Sequence, residues 1–203
     1  MPQNKKPINV NYCKAVVIVH GKSEYLMVQH IKSSLHLPIE IYAKKKGNNS
    51  IQITSLIKEL GNTIFKNQKT LLKRYTIEND KKKLNDFKIF TIMDTDDCNE
   101  EEKNNYINKS MFKKHELYNY IYPIYNINNL EDVMKKSKIH YEKIKDSEKA
   151  DTYIKLFPQN SKKIVEKDDV EQLQEMCEKL KKTSNTNLEE LIEYCINHVK
   201  LVK

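Results

Sequence analysis

Glycine is scarce, with three in 203 residues. The scarcity matters most at Gly21-Lys22-Ser23, which follows an apolar run and invites a P-loop reading. The Walker pattern needs another glycine five positions before Gly21. Val16 stands there, inside the run, which argues against an ATP-binding loop. Cysteine is also thin. Cys13, Cys98, Cys177 and Cys195 form no CxxC pair, which argues against a zinc ribbon. Cys177 and Cys195 fall in helical patterns and read as small buried apolar residues. No apolar run approaches a membrane span, and Met1-Pro2-Gln3-Asn4-Lys5-Lys6 lacks a signal-peptide core. The expectation is a cytoplasmic protein with reduced thiols. No internal repeat is present.

Charge is abundant. Charged residues make up 32% of the chain and apolar residues 38%, and the formal net charge is +8 with a pI near 9.1. A basic balance suits a polyanionic partner such as nucleic acid. The length fits one domain, or one domain with a small appendage.

Ala15-Val16-Val17-Ile18-Val19 has the pattern of a central strand buried on both faces. His20-Gly21 ends it. Ser23 is placed to cap a helix from Glu24 to about Leu35, with Tyr25, Val28, Ile31 and Leu35 on one face. Ile39–Ala43 reads as a second strand and Lys44–Asn49 as a basic loop. A helix from Ser50 to Leu60 follows, with Gly61 as its C-cap. Residues 63–86 read as another helix and a charged loop. Phe87–Met93 reads as a third strand. Glu100–Tyr120 is expected to be polar and helical. Tyr120–Tyr125 reads as a fourth strand, with Pro123 arguing for a sheet edge or the strand's end. Leu130–Met134 begins a helix. Val170–Leu180 and Leu188–Val199 are amphipathic, the latter with Asn187 as a cap. The order predicts an α/β fold with a parallel sheet of about four strands over residues 1–135. A helical extension over 136–203 is expected to pack on it.

Asp94, Asp96 and Asp97 stand at the end of the third strand. Carboxylates this close raise one another's pKa, so a cation is their natural partner. Alternation along a strand would put Asp94 and Asp96 on one face. Ligands of parallel sheets gather beyond the carboxyl ends of the strands. That rule places His20, Lys22, Ser23, Glu24, the 44–50 loop and the aspartates along one edge. A magnesium or manganese site on Glu24, Asp94, Asp96 and Asp97 is therefore expected. His20 is a candidate general base. Lys22, Ser23, Lys46 and Ser50 are candidate phosphate contacts. Plainer readings stand beside these: an acidic turn, a first-turn helix acid at Glu24, a backbone-bonded His20 and a solvated lysine loop. Tyr118, Tyr120, Tyr122 and Tyr125 suit base stacking or, more simply, strand packing.

Two segments carry a family resemblance. They are Val16-Val17-Ile18-Val19-His20-Gly21-Lys22-Ser23-Glu24 and Thr91-Ile92-Met93-Asp94-Thr95-Asp96-Asp97. Together they resemble the Toprim domain of topoisomerases, primases, OLD-type nucleases and the RloB-like and abortive-infection proteins of bacterial defence. Asn129-Leu130-Glu131-Asp132 is similar to a third acidic segment in the small defence members. The resemblance covers residues 14–135. It implies a compact α/β fold, magnesium held by the Asp-x-Asp carboxylates, and phosphodiester cleavage or transfer assisted by a glutamate. A nucleic-acid substrate, RNA or DNA, a role in phage defence and a protein partner there are further implications. The chain departs from the pattern at one position. The family glutamate stands immediately before the glycine, where this chain has His20, and Glu24 corresponds to a more variable acid. Either His20 acts as the base with Glu24 assisting the metal, or the site is altered or inactive. The second alternative is a non-catalytic module that binds nucleic acid or a partner protein.

Overall fold

Four parallel strands form the centre of the computed structural model, which describes residues 10–81, 83–139, 154–162 and 164–199. The expected lead-in over residues 1–9 and parts of the C-terminal extension lie outside the described residues.

The strands are β1 (Ala15–Val19), β2 (Ile39–Tyr42), β5 (Lys88–Asp94) and β6 (Ile121–Asn126), in the order β2-β1-β5-β6. The small β3 (Asn79–Asp80) and β4 (Lys83–Leu84) make a separate antiparallel pair. Pro123 lies on β6 at the sheet edge, where a missing backbone donor is tolerated. All five residues of β1 are buried, as a central strand covered on both faces requires.

Alternation sorts the strand residues between two apolar layers. Ala15, Val17, Val19, Phe90, Ile92 and Ile124 face one layer. It contains α1 (Lys22–Leu35), α5 (Leu130–Lys136), α6 (Lys167–Leu180) and α7 (Leu188–Asn197). Val16, Ile18, Ile89, Met93 and Ile121 face the other, beneath α2 (Ile53–Asn62), α3 (Gln68–Arg74) and α4 (Glu100–Ile107). Helix α1 buries Leu26, Met27, Val28, Ile31 and Leu35. Each such side chain contributes about 1.5–3 kcal/mol on leaving water. Helices α6 and α7 share that core with α1 and the sheet.

Several boundaries differ from the sequence expectation. Helix α1 begins at Lys22 with Gly21 as its N-cap, so Ser23 lies inside the first turn. Helix α2 begins at Ile53, and Gly61 lies within it, before the C-cap Thr63. Only Glu100–Ile107 of the expected 100–120 helix is α-helical, and short 3-10 turns follow at Ser110–Phe112 and Tyr118–Tyr120. Asn187 precedes α7, but its side chain is spent elsewhere. Its Oδ1 accepts from Tyr125 N at 2.9 Å and its Nδ2 donates to Pro123 O at 3.0 Å. The loop before α7 thus lines the outer edge of β6. No helix among the described residues is long and apolar enough to cross a membrane.

Candidate functional site

The parallel ladder brings three segments to one edge. His20 extends β1 by one residue, donating its N–H to Ile92 O at 2.9 Å. Its own carbonyl accepts from Ile51 N at 2.8 Å, which ties the 44–50 loop over the β1–α1 turn. Gly47 makes this approach possible. It sits at φ 86°, and an added Cβ would lie 2.7 Å from Gly21 O and from Lys22 Cα. Lys45 and Lys46 are also left-handed, at φ 46° and 56°. The sequence-predicted phosphate contacts Lys22, Ser23, Lys46 and Ser50 therefore gather beside Gly21. Lys46 and Ser50 are exposed, and Lys22 Nζ lies 5.3 Å from the centre of the Tyr25 ring. Lys44 is committed to Glu59 by a 2.6 Å ion pair.

Glu24 and Asp94 form the buried heart of the edge, at 2% and 7% exposure. Their hydrogen-bond partners are neutral. Gly21 N donates to Glu24 Oε2 at 2.9 Å, and Asn126 Nδ2 donates to Asp94 Oδ1 at 2.9 Å. The latter bond follows from register, because Asp94 pairs with Asn126 across β5 and β6. Asn126 is itself held, its Oδ1 accepting from Thr186 Oγ1 at 3.1 Å. The two carboxyl bonds engage Glu24 Oε2 and Asp94 Oδ1.

Burial first, and the neighbouring Glu24 charge second, push the Asp94 carboxyl up to about 9. Burial likewise raises Glu24, opposed by His20 and reinforced by Glu131. Glu131, half-buried at the start of α5, also raises Asp94. The sequence-predicted set omitted Asn126 and Glu131. Glu131 had a signal in the acidic 129–132 segment, whereas Asn126 had none, because its role depends on strand register.

Asp96 departs from the expected geometry. The strand ends at Asp94, and Thr95 N turns to Asn126 O and Asn128 O at 3.1 and 2.9 Å. Asp96 therefore lies in an exposed turn, off the strand face shared by Asp94 and Asn126. Its charge still raises Asp94. Asp97 stands nearest His20, with Nδ1 to Oδ2 at 3.9 Å. Its carboxyl is raised, by burial first, against the lowering influence of His20.

Among the described residues, no three His, Cys, Asp or Glu side chains form a ready-made metal cluster. A closed protein cage is not what magnesium requires. That ion commonly takes one or two carboxylates and keeps several waters. Glu24 and Asp94 fit such a role as neighbouring buried acids whose charges act on one another. No ion pair with Lys or Arg reaches either carboxylate among the described residues. Comparison with protein-family models, curated proteins and solved structures finds no match to this chain.

Proposed function

We propose that the carboxyl edge of the sheet is a divalent-metal site for phosphodiester cleavage of RNA or DNA, in the manner of a Toprim nuclease. The observation that carries this reading is the Glu24–Asp94 pair: two buried carboxyls, with burial first and the Glu24 charge second pushing Asp94 up to about 9. A bound Mg²⁺ or Mn²⁺ would favour the charged form of both carboxyls, which burial first and neighbouring carboxylates second disfavour. Glu24 and Asp94 would hold the ion, with the Asp96 carboxylate adding negative charge from the adjacent turn. When bound, the ion supplies Lewis-acid stabilisation of the scissile phosphate and a more acidic water. Lys22, Lys46 and Ser50 orient phosphate beside the Gly21 turn, and His20 accepts the proton. The net charge of +8 supports a polyanionic substrate. A role in phage defence, with a protein partner there, belongs to the same reading.

The test is Asp94→Asn combined with Asp96→Asn. Cleavage of mixed RNA and DNA in Mn²⁺ should disappear while the circular dichroism spectrum is kept. Undiminished cleavage by that variant would sink the mechanism. Polymer cleavage should also fall steeply with salt, whereas a small-nucleotide phosphohydrolase would be less sensitive.

A second reading is a non-catalytic module that binds nucleic acid or a partner protein. The Gly21 N to Glu24 Oε2 bond favours it, since one oxygen of Glu24 already serves the helix start. That reading predicts polymer or partner binding without cleavage and without metal uptake at millimolar Mn²⁺.

A further inference from the structure

Seven buried side-chain atoms among the described residues lack a hydrogen-bond partner, and three of them are neighbours. They are His20 Nδ1 and both carboxylate oxygens of Asp97. A buried polar atom left unmade is costly, about 1–3 kcal/mol each. Three together mark a place built for something more than packing. The two side chains are 16% and 15% exposed, and Nδ1 lies 3.9 Å from Oδ2. That gap exceeds a hydrogen bond by about an ångström. A small rotation of Asp97 or a single bridging water closes it.

The backbone explains why His20 is held there. Its N–H is fixed by Ile92 and its carbonyl by Ile51. Val16 and Ile18 face the α2–α4 layer, and alternation sends His20 the same way. Asp97 lies in the turn leading to α4, on that side. Asp94 follows Phe90 and Ile92 towards the α1 layer instead. The enclosed ring nitrogen is Nδ1. Nε2 is not among the buried unpartnered atoms, and the ring retains its partial exposure at the sheet edge.

We propose that Asp97 is a positioning residue for His20. It holds the neutral ring with the proton on Nδ1 and leaves the Nε2 lone pair facing the carboxyl edge as the proton acceptor. The proton taken by Nε2 comes from the water whose oxygen forms the new P–O bond, and Asp97 stabilises the resulting imidazolium; the P–O bond to one sugar breaks and the departing sugar oxygen takes a proton from solvent. The division of labour is then spatial. Glu24 and Asp94 hold the ion, and Asp97 serves the base. The catalytic part rests on the phosphodiesterase reading, whereas the His20–Asp97 pairing stands without it.

The experiment is nitrogen-15 spectroscopy of the metal-free full chain at pH 8.5, with His20 assigned through His20→Gln. Wild type should carry the proton on Nδ1. Asp97→Ala, which leaves no acceptor, should move His20 to the Nε2–H form that free imidazole side chains prefer, and Asp97→Glu should retain the Nδ1–H form. In the cleavage assay, Asp97→Ala should lower kcat at least tenfold, leave KM within twofold and leave Mn²⁺ affinity within twofold. Asp97→Glu should recover part of the rate. An Nε2–H tautomer in wild type, or an unchanged tautomer in Asp97→Ala, overturns the pairing. Loss of Mn²⁺ affinity in Asp97→Ala also overturns the proposal, by assigning the side chain to the metal. If wild type cleaves nothing, the phosphodiesterase reading fails, and the tautomer still decides the pairing.

Discussion

Replacing Asp94 by asparagine removes a charge and keeps the shape. The amide oxygen can still accept from Asn126 Nδ2, so the buried bond at the β5–β6 edge survives. The carboxyl rises from an ordinary 3.8 to about 9 on folding. Between those limits the folded protein keeps a proton that the unfolded chain releases. Stability therefore falls as pH rises through the window, the opposite of a salt-bridged carboxylate. Each unit is worth about 1.4 kcal/mol, so the roughly three units below pH 7 set a ceiling of about 4 kcal/mol. Local relaxation and water entry reduce this to about 1–2 kcal/mol. A chain of this size gains about 2–4 °C per kcal/mol, so Asp94→Asn should raise Tm by about 2–8 °C in EDTA at pH 7. The gap should widen at pH 8.5 and close near pH 4. Differential scanning fluorimetry across that range measures it. A variant less stable than wild type at pH 8.5, or a gap independent of pH, would refute the electrostatic reasoning.

Three further substitutions probe the scaffold around the edge. Tyr106 is fully buried, with its hydroxyl 2.5 Å from Thr91 O and 2.9 Å from Ile124 O, so Tyr106→Phe should cost about 1–3 kcal/mol in urea unfolding. A cost near zero would remove its role as a clamp between β5 and β6. Gly47→Ala would drive a Cβ into the Gly21–Lys22 backbone at a positive φ, so a loss of about 1–3 kcal/mol should accompany shifted Gly21 and Lys22 amide resonances. Unmoved resonances would show that the loop does not rest on that turn. At the opposite end of the sheet, burial raises Asp86, but hydrogen bonds from Lys14 and His198 outweigh it and hold the carboxyl below its usual value. Its contribution is present above the unfolded carboxylate pKa and lost as pH falls below it. Asp86→Asn should therefore cost up to about 1 kcal/mol at pH 7 and little at pH 3, because the pair is partly exposed. An equal cost at both pH values would contradict the ion-pair account.

The sheet was legible because continuous β-branched and aromatic runs have few other uses in a chain this polar. β1, β2, β5 and β6 fall within a residue or two of their expected limits, and of the two readings of Pro123, sheet edge or strand end, the edge is the one found. Local rules failed where distant partners intervene. Ser23 is a good cap by type, yet Gly21 takes the position because Glu24 reaches back to its N–H. Asn187 stands where a cap belongs, but β6 claims its side chain. The expected Asp94–Asp96 alternation ended one residue early because Thr95 N turns to Asn126 and Asn128. That turn depends on the neighbouring strand, which the local sequence does not encode. The gathering of Glu24, Asp94 and His20 on one edge followed from the strand–helix order. The opposite facing of Asp94 and His20 required the register.

The central claim is that Glu24 and Asp94 together receive a divalent ion. Isothermal titration of Mn²⁺ into the full chain at pH 8, in two buffers of different ionisation enthalpy, tests it most directly. The account predicts saturable binding with proton release. Both should be lost in the Glu24→Gln, Asp94→Asn double variant. Absence of wild-type binding at millimolar Mn²⁺, or equal binding by the double variant, would contradict it.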